Sequence, residues 1–72
     1  MDPKARELVC MAASVAGPCQ PCFDHHVAKA KNLGVDEIVI REVIRISQAM
    51  RARGNEFMDE FMERLLGKPT NQ

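Results

Sequence analysis

The chain has 72 residues, 46% hydrophobic and 28% charged, which fits one small globular domain and excludes a disordered or multidomain reading. Ten basic residues balance ten acidic ones, so no global field exists to gather nucleic acid or an anionic membrane. No run is apolar enough to span a bilayer, and the start, Met1-Asp2-Pro3-Lys4-Ala5-Arg6-Glu7, is too charged for a secretory signal; a cytoplasmic protein is expected.

The punctuation predicts four helices. The first covers Pro3 to Val15, with Asp2 as N-cap and Pro3 in the first turn, and ends at Gly17-Pro18. The second begins at Pro18 or Cys19 and runs to Leu33, with Gly34 as a left-handed stop. The third spans Asp36 to about Arg53, capped by Asp36 and closed by Gly54. The fourth extends from Asn55, as N-cap, to Leu66, with Gly67 as stop. Residues 68–72 form a frayed tail. Aliphatic residues dominate, and Phe23, Phe57 and Phe61 are the only aromatics besides the histidines. The expected fold is therefore all-α: a single domain over 1–72, built as a small antiparallel bundle of about four helices.

Two segments bear on assembly. Placed at about 100° steps, Ile38, Val39, Ile40, Val43, Ile44, Ile46, Ala49 and Met50 cover roughly two thirds of the third helix's circumference, beyond the usual apolar stripe of a surface helix. Short partner helices cannot cover that arc, so a homo-oligomer is expected, with the buried central helix of a monomer as the competing view. In the fourth segment Phe57, Met58, Phe61, Met62 and Leu65 form a stripe that reads as core or interface. Arg41, Arg45, Arg51 and Arg53 read as a solvated face.

Three cysteines, an odd number in a reducing compartment, argue against a disulfide scaffold and towards redox work or a metal. The centre is Cys19-Gln20-Pro21-Cys22-Phe23-Asp24-His25-His26. Two cysteines three apart share one helical face, near enough to close a small disulfide ring. The pair opens a helix, where free N–H groups and the helix dipole favour a thiolate. On the wheel His26 falls between the two cysteines, whereas His25 points about 100° away. An imidazole there can take a thiol proton. The same residues, Cys19, Cys22 and His26, also suit half of a zinc site, with Cys10, Glu7 or another subunit supplying a fourth ligand, or a share in an iron–sulfur cluster. His26 as an ordinary core histidine is the third possibility. Glu7, on the first helix, shares its face with Cys10, Met11 and Ser14; a carboxylate on so apolar a face needs a partner, unless it is simply an exposed first-turn acid.

The spacing of Glu7, Cys19, Cys22 and His26, E-x11-C-x2-C-x3-H, resembles the carboxymuconolactone decarboxylase family, and most closely its alkylhydroperoxidase-D-like branch. The following stretch, His26 to Ala30, then Leu33-Gly34-Val35 and Glu37-Ile38, is similar as well, and the likeness extends from about Glu7 to Arg53. It implies an all-α fold that assembles through its helices and a CxxC pair cycling between dithiol and disulfide. It implies that Glu7 and His26 relay protons, that Cys22 attacks and that Cys19 resolves; the dipole by itself favours Cys19 as the more acidic thiol. Decarboxylases of the family generally lack the CxxC, so lactone chemistry is not implied. The chain has only the motif core and one further helix, which leaves disulfide reduction open beside peroxide reduction. The partners implied are a hydroperoxide or disulfide substrate, a reducing partner and other copies of the chain. No cofactor is called for on this reading.

Overall fold

A computed structural model describes residues 1–67; the expected frayed tail, 68–72, lies outside them. Three helices follow one another: α1, Pro3–Ala16; α2, Gln20–Asn32; and α3, Glu37–Leu66. There is no strand among the described residues, and the all-α class is as the composition predicts.

The helix starts are set by their caps. The Asp2 carboxylate accepts from the Ala5 N–H at 3.4 Å, and that of Asp36 accepts from the Ile38 N–H at 3.2 Å, satisfying donors that no earlier turn can reach. The end of α2 is a Schellman arrangement. Gly34 takes a φ of 84°, its N–H bonds the Lys31 carbonyl, and the Val35 N–H bonds the Ala30 carbonyl, both at 3.0 Å. Val35 also packs beside buried Ala30, the apolar contact that accompanies this motif.

The expected count of four helices is corrected to three. The stop at Gly54 and the N-cap at Asn55 do not exist, because both lie inside α3. A glycine interrupts a helix only when the chain takes up a left-handed turn there, and Gly54 has no such conformation. Its cost within a helix is about 1 kcal/mol, and contacts reach across it. Arg53 pairs with Glu56 at 3.2 Å and lies over the Phe57 ring at 4.7 Å. A Cβ at Gly54 would meet nothing within 4 Å. Gly54→Ala should therefore stabilise α3 by about 0.5–1 kcal/mol, seen as stronger far-UV helicity and a later melt. A loss of helicity would show that the glycine is needed as a hinge.

α1 is the central element and packs against both neighbours. It runs antiparallel to α2, and α3 returns in the direction of α1, so that Arg51 donates to the Val15 carbonyl at 3.0 Å near the end of α1. The core is small. Met11, Ala30 and Ile40 are buried, one from each helix, and Leu8, Phe23, Val27, Val35 and Ile44 pack around them. Of the broad apolar arc on α3 only Ile40 is fully covered. Ile38 stays 76% exposed and Met50 62%, and every residue from 51 to 67 is exposed. The second half of α3 projects beyond the packed region, giving the molecule dimensions of 53 × 21 × 19 Å.

Candidate functional site

The turn at Gly17-Pro18 folds α2 back on α1. Cys19 follows in extended conformation as the N-cap of α2, and its sulfur accepts from the Cys22 N–H at 3.3 Å. This is where the sequence expects a thiolate to be favoured, since the first-turn N–H groups lack backbone partners. The sulfurs of Cys19 and Cys22 are joined as a disulfide, with their Cα atoms 5.3 Å apart. Cys10 is a free thiol, half-buried on α1.

Two ties fix the register of the hairpin. Near the turn, the Cys19 N–H bonds the Ser14 carbonyl at 3.0 Å. Two helical turns further on, His26 Nδ1 lies 2.7 Å from Glu7 Oε1. Glu7 is 3% exposed, so the inward-facing reading of this acid holds and the first-turn surface reading does not. The hydrogen bond from His26 holds the Glu7 carboxyl below the usual carboxylate range, against the opposing effect of burial; the positive charges of Lys29 and Arg6 add to the lowering. An ionised Glu7 accepts, so Nδ1 donates and the Nε2 lone pair of a neutral His26 is left for other chemistry.

Lys29 is a group that sequence reasoning missed. Its Nζ lies 3.7 Å from Glu7 Oε2, one α2 turn beyond His26. The only signal for it is that i, i+3 spacing, which looks the same as an ordinary basic residue near a helix C-terminus. His25 is exposed, as expected, with its ring edge-on to that of His26 at a centroid distance of 4.9 Å.

The disulfide and His26 border a shallow depression of about 290 Å³ that is also lined by Cys10, Ser14 and Gly17. The four residues singled out from the sequence thus come together: Cys19, Cys22 and His26 on one rim, and Glu7 behind His26. Cys22 is the exposed member of the pair and Cys19 the more covered. The arrangement can hold a reversible disulfide with an oriented imidazole alongside. In the form described the two sulfurs bond each other, and no three His, Cys, Asp or Glu side chains group as a metal site among the described residues. No helix among them is long and apolar enough to cross a membrane.

The sequence model of the carboxymuconolactone decarboxylase family matches residues 1–60, a span that contains the whole hairpin and most of α3. No curated protein and no solved structure gives a match.

Proposed function

The chain belongs to the carboxymuconolactone decarboxylase family, and from that membership we propose that it is a thiol–disulfide oxidoreductase of the alkylhydroperoxidase-D-like kind, reducing disulfides or hydroperoxides. The observation that carries this reading is the buried Glu7 bonded to His26 beside the Cys19–Cys22 disulfide.

In the reduced protein His26 Nε2 takes the Cys22 proton, and Glu7 stabilises the imidazolium through Nδ1. The exposed Cys22 thiolate attacks one sulfur of a substrate disulfide, forming a mixed disulfide and expelling the other sulfur as a thiolate, which His26 protonates. Cys19 then attacks the Cys22 sulfur, closing the intramolecular disulfide and releasing the second substrate thiol. With a hydroperoxide, Cys22 becomes the sulfenic acid, the alcohol leaves, and attack by Cys19 expels water. In both cases the substrate gains two electrons and the cysteine pair loses two, which a reducing partner must return. The N–H bond at the Cys19 sulfur favours its thiolate, both as the resolving group and as the leaving group when the disulfide is reopened. The shallowness of the depression favours a disulfide carried on a larger partner over an enclosed small peroxide. A cytoplasmic setting, where thiols are kept reduced, suits this cycle.

Treating the reduced protein with one equivalent of hydrogen peroxide or a small disulfide should consume two of the three thiols. Cyanogen bromide cleavage after Met11 separates Cys10 from the other two cysteines, so the free thiol should appear in the N-terminal fragment and the disulfide in the next. A panel of disulfides and hydroperoxides, with a dithiol reductant supplied, then measures turnover. Turnover unchanged in Cys22→Ser would sink the proposal.

A further inference from the structure

Cys10 has no place in the two-cysteine cycle, yet it lies against it. The ties between Ser14 and Cys19 and between Glu7 and His26 belong to one antiparallel register, in which each step forward on α1 is a step back on α2. That register sets Cys10 opposite Phe23, the residue next to Cys22. On α1, Glu7, Cys10 and Ser14 form one stripe of i, i+3 and i+7 positions, and its two outer members are the residues that bind α2. Cys10 is the middle of the stripe, half-buried, a free thiol, and lines the same depression as Cys19, Cys22 and His26.

We infer that Cys10 is a second resolving thiol of the site, able to attack Cys22 in place of Cys19; this rests on the oxidoreductase reading above. When Cys22 is held in a mixed disulfide with substrate, the Cys10 thiolate attacks the Cys22 sulfur, the Cys10–Cys22 bond forms, the bond from Cys22 to substrate breaks, and the substrate sulfur leaves as a thiolate that takes up a proton. Attack by Cys19 on the Cys22 sulfur of that product forms Cys19–Cys22 and returns Cys10 to the thiol, an isomerisation with no net electron change. The resting oxidised form is the Cys19–Cys22 disulfide with Cys10 free, as the structure has it. The site is then a three-thiol relay in which a slow or hindered Cys19 does not strand the substrate on Cys22.

The test uses Cys19→Ser, where serine keeps the helix cap, reduced and then given less than one equivalent of dithiobis(nitrobenzoate). The expected result is two nitrothiobenzoate ions released per reagent molecule, the second in a first-order phase independent of protein concentration. The protein mass should fall by two hydrogens, and the two fragments made by cyanogen bromide at Met11 should stay joined until reduced. The Cys10→Ser/Cys19→Ser variant should release one ion and keep the adduct. A Cys19→Ser protein that stops at one ion, or a double variant that releases two, overturns the role of Cys10. Wild-type protein is the arm that tests the underlying reading: if it cannot close Cys19–Cys22 the oxidoreductase proposal itself fails, whereas closure in the wild type with a stalled Cys19→Ser removes Cys10 alone.

Discussion

Replacing His26 with Ala should slow reaction of the reduced protein with a model disulfide at neutral pH by about 10²-fold or more, the usual scale of general acid–base help from a placed side chain. The reason is positional. His26 alone among the histidines combines a bond to a buried carboxylate with a place on the rim of the cysteine depression. His25→Ala should change the rate little, since His25 meets the site only edge-on through the His26 ring. Equal losses from the two substitutions would remove His26 from the chemistry. Glu7→Gln adds a second readout: it keeps the shape and removes the charge, so the rate should drop and the pH–rate profile should lose the acid-side component that protonation of Glu7 contributes. Stability should respond as well. The Glu7 carboxyl is held below its ordinary range in the folded protein, so the stabilisation from its ionised form is complete above the unfolded-state carboxyl pKa. It is lost as pH falls towards the lowered folded value. Acid melts of Glu7→Gln should lack that component. An unchanged pH–rate profile would leave Glu7 a structural acid.

We propose that copies of the chain associate through α3, so Phe57→Glu/Phe61→Glu should leave only an 8.1 kDa monomer by light scattering. In the isolated chain Phe57, Met58, Phe61, Met62, Leu65 and Leu66 are all exposed along one projecting helix, the kind of apolar surface that marks an interaction site. The charges of α3 are also segregated. Arg41, Arg45, Arg51 and Arg53 outweigh Glu37 and Glu42 over residues 37–53, while Glu56, Asp59, Glu60 and Glu63 outweigh Arg64 over residues 54–66. Two antiparallel α3 helices would lay basic half on acidic half. Burial of each Phe contributes about 1.5–3 kcal/mol, and two carboxylates at that position carry a desolvation cost in its place. Ile44, one of the residues of the apolar arc read from the sequence, is a poor probe because it packs against the core of Met11, Ala30 and Ile40 within the chain. A wild-type monomer at micromolar concentration would end this proposal.

What the sequence makes legible is whatever depends on spacing within one helix. Cys19, Cys22 and His26 share a face through a fixed period, and their grouping follows once α2 is recognised. Glu7 is on another helix, but its apolar neighbours and the short Gly17-Pro18 turn leave it one direction to face. Lys29 escapes because a lysine near a helix end has an ordinary reason to be there, and its approach to Glu7 depends on the exact packing of two helices. Gly54 misleads for a related reason. Glycine permits a stop without imposing one, and nothing local distinguishes a tolerated glycine from a terminating one. The width of the apolar arc on α3 is legible; how little of it α1 and α2 cover is a matter of their length.

The Glu7–His26 bond spans a sequence separation of 19 and the disulfide one of 3, so the whole constellation is built from neighbours along the chain. Loops that short close with little entropic penalty and form early relative to distant pairings. The α1–α2 hairpin therefore carries its chemistry in a contiguous stretch that can emerge and organise before α3 docks. In folding order, the proposed thiol–disulfide site comes first and the surface proposed to bring copies together comes last.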